Sequence, residues 1–148
     1  MAFLSQAPLE LDELIAAVSG PGRGAVVTFL GTVRDHHEGR GVSALGYSAY
    51  EPMAESVCAE IVAEAERKWP VKVALKHRLG DLAIGDSAVA IAVAGDHRDE
   101  AFAACRYAIE ELKRRVPIWK RERLADGSVE WVGAEAPGSR PQAAGNTP

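Results

Sequence analysis

An α+β domain, a largely antiparallel sheet with helices packed on it, is what this 148-residue sequence predicts. Two long stretches repeat apolar residues at three and four positions, several short runs are rich in valine and aromatics, and no internal repeat is present. At 47% hydrophobic and 26% charged residues, the chain is large enough to bury its own core as one domain over residues 1–133.

The elements follow in order. LELDELIAAV (9–18) spaces Leu11, Leu14, Ile15 and Val18 as a short amphipathic helix that SGPGRG ends. GAVVTFLGTVR (24–34) predicts a strand buried on both sides, running into the charged loop DHHEGRG. VSALGYSAY (42–50) alternates as a second strand, expected to pair antiparallel with the first. In EPMAESVCAEIVAEAERKW, Pro52 suits a first helical turn, and Met53, Val57, Cys58, Ile61, Val62 and Ala65 form one apolar stripe. VKVALKHRLG and SAVAIAVAG predict two strands joined by a turn at Gly85 and Asp86, the second central and buried. A second long helix spans about 98–115, with Phe102, Cys105, Ile109, Leu112 and Val116 on its core side and Pro117 as its stop. IWKRERLADGSVEWVG reads as a hairpin around ADGS, and residues 134–148 as a disordered tail.

Several function classes are disfavoured. No window reaches the roughly 18 apolar residues of a membrane span, and the first residues carry acids where a secretion signal carries bases, so a cytoplasmic protein is expected. Cys58 and Cys105 sit in helical apolar patterns, which indicates neither a disulfide framework nor a zinc site. A net charge of −4 argues against bulk nucleic-acid binding. GxSxG, a Gly-rich phosphate loop and CxxC are all absent from the sequence.

Three places carry candidate chemistry. In AGDHRDEAF (94–102) a buried strand runs straight into a helix; Asp96 can cap it, and His97 and Arg98 fall beside the positive end of the helix dipole, a natural anion site. LKRRVPIWKRER (112–123) packs six bases into twelve positions. Lys113 borders the buried stripe, and Lys120 follows Trp119 on a strand; with Trp119 inward, Lys120 and Ile118 would share the other face. Two partly desolvated lysines suit an anionic substrate and acid or base work. The plainer alternative is that these bases complement the helix C-terminus and keep an edge strand soluble. GTVRDHH (31–37) puts Arg34 at a strand end, where ligand contacts are common, while His36 and His37 are expected to be solvated loop residues.

The blocks GAVVTFLGTVRDHHEG, YEPMAE, KWPV, HRLGDLAIGD, AGDHRDEAF, LKRRVPIWKRE and EWV, in this order over about residues 24–132, resemble the large, catalytic subunits of molybdopterin synthase. The resemblance implies an α/β hammerhead fold with an additional antiparallel sheet. It also implies a sulfurtransferase of molybdenum cofactor biosynthesis, acting on cyclic pyranopterin monophosphate (precursor Z). The sulfur would come from a small ubiquitin-like partner ending in a Gly-Gly thiocarboxylate, in a heterotetramer built on a homodimer of large subunits. Neither cofactor nor metal is implied. By position, the family's catalytic lysines fall on Lys113 and Lys120, and its substrate contacts on Thr32, Val33, Arg34, His97, Arg98, Arg121 and Glu122. Gly133, Ala134 and Glu135 stand where family members often place an arginine that crosses the dimer, with Arg140 further along. A noncatalytic docking module for an acidic protein or RNA is the competing expectation.

Overall fold

The computed structural model describes residues 1–132; Gly133 and the segment 134–148, which holds Arg140 and the expected tail, lie outside the described residues. Along the chain run β1 (Leu4–Ser5), α1 (Leu11–Val18), β2 (Ala25–Thr32), β3 (His36–His37), β4 (Arg40–Ala49), α2 (Glu51–Lys68), β5 (Val71–Arg78), β6 (Gly80–Leu82), β7 (Ser87–Gly95), α3 (Arg98–Arg115), β8 (Ile118–Leu124) and β9 (Val129–Val132). The α+β expectation holds: three helices accompany two sheets whose pairings are antiparallel except for β1 with β5.

The first sheet has the order β1-β5-β7-β2. Its centre is β7, buried from Ala88 to Gly95 because both faces are covered. Val89, Ile91 and Val93 join Val71, Val73 and Leu75 in the core against α2 and α3. Ala90, Ala92 and Ala94 face the other way, and their small side chains let Leu14 and Val18 of α1 lie close to the sheet. The second sheet runs β3-β4-β8-β9, with β6 also paired to β4.

Four expectations fail, each for a physical reason. The strand β2 is not buried on both sides: it is an edge strand whose side chains alternate between half-buried and exposed, with Val26 and Leu30 outward. Nor does it pair with β4; β2 bonds to β7, and β4 bonds to β8 across the whole fold. On α2 and α3 the small residues Ala54, Ala101, Ala104 and Ala108 meet the core, while Met53 and Phe102 are turned out, Phe102 with 61% of its surface exposed. A helix packed closely on a sheet needs short side chains at the contact, so alanines occupy the inner stripe. Finally, the N-cap of α3 is His97, not Asp96, and its backbone N–H donates to the Glu100 carboxylate at 2.8 Å.

The C-terminal end of α3 is held against α2 by one arginine. Arg115 Nη1 lies 2.7 Å from Glu64 Oε1 and 3.1 Å from Glu111 Oε1, and Tyr107 donates its hydroxyl to Glu64 at 2.6 Å. Arg115 first, then the Tyr107 hydrogen bond, hold the Glu64 carboxyl down to about 2. Because this folded value lies below the ordinary 4.5, the unfolded chain takes up the proton first. The stabilisation is therefore complete above about pH 4.5 and is lost as pH falls through about 2. Water screens this partly exposed cluster, so Arg115→Ala should cost only about 1 kcal/mol at pH 7. Urea unfolding from pH 7 to 2 should show the gap between wild type and variant narrowing toward the acid end; a pH-independent gap would refute the assignment.

Candidate functional site

Side chains from both sheets and from α3 surround a cavity of about 250 Å³. Phe29, Thr32, Val33 and Arg34 reach it from the end of β2 and the following loop, Val42, Leu45 and Tyr47 from β4, His77 from β5, Val89 from β7, Lys113 from α3, and Lys120 and Glu122 from β8. The sequence explains why these ends converge. Pro117 stops α3 after Arg115, and β8 begins three residues later, so the last helical turn and the first strand residues meet at one place. Hydrogen bonds from Val33 N to Asp86 O (2.9 Å) and from Gly85 N to Val33 O (2.7 Å) fasten the chain after β2 to the turn before β7. That turn needs Gly85, whose φ of +92° is strained for a side-chain-bearing residue.

The face of β8 is opposite to the one expected from an inward Trp119. Ile118, Glu122 and Leu124 are buried and Lys120 is half-buried on the inner side, while Arg121 and Arg123 are exposed. Lys120 and Ile118 do share a face, but it is the buried one. Arg121 points away from the cavity, 3.3 Å from Asp81 on the outer surface. It is therefore not among the residues that line this cavity.

Glu122 is the electrostatic centre of the site. Only 3% of its surface is exposed. The Nδ1 of His37 lies 2.7 and 2.9 Å from its two oxygens, and Lys120 Nζ 3.4 Å from one of them. A buried carboxylate is costly unless matched, and here it is matched by a ring N–H and an ammonium. His37, expected to be a solvated loop residue, is instead a wall of the site. It is carried there by the β3–β4 hairpin, where Glu38 (φ +53°) and Gly39 (φ +79°) both adopt left-handed backbone. His36 remains mostly exposed, bonded to the neighbouring Asp35 carboxylate at 3.0 Å.

Two further groups line the hollow without having been singled out. His77 is buried against Tyr47, their rings edge to face at 4.9 Å. Burial pushes the Tyr47 hydroxyl up to about 12, with the Glu122 charge acting in the same direction. The available signal was the alternation in VKVALKHR, which places His77 in phase with Val71, Val73 and Leu75.

His97 and Arg98 are not in this cavity. They stand at the far end of α3, about 22 Å along the helix from Lys113, with the His97 side chain 86% exposed. The helix N-terminus they flank is already served by Glu100. Within one protomer the expected convergence of Arg34, His97, Arg98, Lys113 and Lys120 is thus confined to Arg34, Lys113 and Lys120, together with Thr32, Val33 and Glu122.

Neither thiol lines the cavity. Cys58 is pushed up to about 12 and Cys105 to about 11, chiefly by burial, so both stay protonated in the core. No described helix is long and apolar enough to cross a membrane.

Known proteins share this architecture. The profile of the MoaE protein family matches residues 4–115. Molybdopterin synthase catalytic subunit 1 of Mycobacterium tuberculosis is 50% identical over 131 residues, covering 88% of each chain. A crystal structure of molybdopterin synthase from Staphylococcus aureus superposes with a TM-score of 0.84 at 40% identity, over 89% of this chain and 96% of that one. A Helicobacter pylori complex of subunits 1 and 2 of molybdopterin-converting factor gives a TM-score of 0.69 at 25% identity, over 93% and 92% of the two chains. Matched over most of its described length in sequence and in fold, the chain belongs to the MoaE protein family.

Proposed function

We propose that this protein is the catalytic subunit of a molybdopterin synthase: a cytoplasmic sulfurtransferase that moves sulfur from the C-terminal thiocarboxylate of a small ubiquitin-like partner onto precursor Z. The observation that carries this is the meeting of Lys113 and Lys120 at one cavity, seven residues apart across the Pro117 break. Each transfer needs attack through a thiocarboxylate, proton movement and stabilisation of developing negative charge. Two ammonium groups in a partly dry hollow supply the last two. The first needs a sulfur nucleophile, and with Cys58 and Cys105 protonated in the core it must come from outside the chain. The partner's tail supplies it.

Roles divide by charge. Lys113 and Lys120 are the catalytic residues, and Glu122 holds Lys120 in place. Thr32, Val33 and Arg34 line the mouth that receives the anionic pterin. A cavity of about 250 Å³ falls just short of the ~300 Å³ at which small-molecule sites begin, consistent with a wall supplied by another chain. Among the described residues one edge of β2 is unpaired, and it offers one route. That strand runs from Ala25, paired with Gly95 two residues before His97, to Thr32 at the cavity mouth, a distance of about 23 Å. A second copy docked antiparallel along this edge would bring its own His97 and Arg98 to the mouth, where they would bind the substrate phosphate across the dimer.

A docking module without catalysis would use the same basic segment differently. Replacing Lys120 with alanine should then weaken partner binding, with no dithiolene product formed by either the wild type or the variant. Under the enzymatic assignment, Lys120→Ala lowers dithiolene formation from purified precursor Z and thiocarboxylated partner by about 100-fold or more, while the complex with the partner still assembles. Retained turnover would count against the assignment.

Mixed dimers test the shared site. A Lys120→Ala protomer and an Arg98→Ala protomer, each inactive alone, should recover activity when co-assembled, because one of the two sites then has both groups intact. No recovery would rule out a site shared across the dimer.

A further inference from the structure

The β3–β4 hairpin brings His37 to a carboxylate 85 residues away along the chain. Its Nδ1 lies 2.7 Å from Glu122 Oε2 and 2.9 Å from Oε1, so one ring N–H spans both oxygens. Lys120 Nζ meets Oε2 at the longer distance of 3.4 Å. The closer contact therefore belongs to the hairpin, not to the lysine two residues away on β8.

The acceptor fixes the direction of the hydrogen bond. A carboxylate only accepts, so Nδ1 carries the proton and donates. The other ring nitrogen, Nε2, lies 3.8 Å from Glu38, whose side chain is 82% exposed, so the ring reaches from the buried carboxylate to the surface. Glu122 itself is buried, and a buried carboxylate left with a single partner draws that partner close, because nothing else offsets its lost hydration. Charge-assisted N–H···O bonds settle at about 2.7–2.9 Å. Lys120 stands beyond that range, and the charge it faces is divided between two donors. An ammonium carries three N–H groups, so at this distance Lys120 is tethered by Glu122 and still presents N–H groups to the cavity it lines.

We infer that His37 is a positioning residue for Lys120: its Nδ1–H shares the Glu122 carboxylate, which keeps the ammonium loosely tethered and turned to the cavity instead of drawn into a closed ion pair. His37 acts through Glu122. Its consequence for turnover rests on the sulfur-transfer assignment, whereas its consequence for the ion-pair geometry stands apart from it.

Two replacements separate donation from bulk. His37→Leu fills the space without a donor, and His37→Asn puts an amide N–H where Nδ1 stands. In crystal structures, Lys120 Nζ should close on Glu122 to about 2.8 Å in His37→Leu and stay near 3.4 Å in His37→Asn. With thiocarboxylated partner and precursor Z, kcat should fall about 10-fold in His37→Leu and less than about 3-fold in His37→Asn, with KM for precursor Z within about 2-fold of wild type in both. In a Glu122→Gln background, adding His37→Leu should change kcat by less than about 2-fold, because the carboxylate through which His37 acts is gone. A merely structural histidine would give the same loss in either background. An unchanged ion-pair distance or a wild-type kcat in His37→Leu, equal losses in His37→Leu and His37→Asn, or an undiminished loss in the Glu122→Gln background would each overturn the inference. If His37→Leu does not fold by itself, His37→Asn and the Glu122→Gln pair decide it: a large loss in the first, or a further loss in the second, overturns it. Should the wild-type protein make no product at all, the sulfur-transfer assignment fails, while the ion-pair distances still decide the role of His37.

Discussion

A carboxylate that water cannot reach organises this protein's chemistry. Leaving Glu122 unmatched would cost several kcal/mol, so its neighbours are constrained by electrostatics as much as by shape. Because strand side chains alternate, a one-residue slip of β8 against β4 would turn Glu122 to solvent and push Arg121 and Arg123 into the core. The register that keeps Glu122 paired with Lys120 and His37 is therefore also the one that points Lys120 into the hollow. It requires the β3–β4 hairpin to close tightly enough to bring His37 across, which the left-handed backbone at Glu38 and Gly39 accomplishes. The bulge in β4 between Val42 and Ala44 belongs to the same arrangement: it lets both Val42 and Leu45 face inward, beside the site.

The opposite wall depends on α3. Its last turn carries Lys113, and that turn is immobilised from two directions. Leu112 and Val116 bury into the core, and Arg115 ties the turn to Glu64 on α2. Upstream, Ala101, Ala104 and Ala108 allow the helix to lie close over β7 and β2. Lys113 thus emerges from a rigid element, whereas Arg34 comes from a loop held by two hydrogen bonds to the turn before β7. Rigid placement of a lysine beside a tethered loop is an arrangement in which movement of the loop need not disturb the position of the ammonium.

What the sequence disclosed, and what it hid, follows from the range of each interaction. Helices, the buried run SAVAIAVAG and the 118–132 hairpin are local patterns, and all were legible. The pairing of β4 with β8 was not, because Val42 and Leu124 are brought together across the whole chain and nothing near either residue records it. Phe102 and Met53 fit the helical stripe by spacing yet face outward, since periodicity cannot say that alanine, not the larger residue, makes the close contact. The two lysines and Arg34 were found from their boundary positions, at the end of an apolar stripe and of a strand. His97 and Arg98 were placed with them only by family resemblance, and α3 is too long to deliver both of its ends to one cavity. His37 could not be recognised before its distant partner Glu122 was known to be buried, but His77 was readable in principle from its phase within VKVALKHR.

The six bases of LKRRVPIWKRER resolve once helix and strand periodicities are applied to either side of Pro117. On the helix, Arg114 and Arg115 turn toward Glu111 and Glu64 and serve the fold. On the strand, Arg121 and Arg123 occupy the outer face, where Arg121 meets Asp81. The two lysines are what remain, one from each periodic element, and they are the two that reach the cavity. The helix-end account fits Arg114 and Arg115, whereas an edge strand kept soluble does not apply, because β8 lies between β4 and β9. A chain carrying −4 overall can then present a locally positive hollow to a phosphate or a thiocarboxylate without becoming a general polyanion binder, because low-dielectric walls focus the field of a few fixed charges while the other bases are neutralised or faced away.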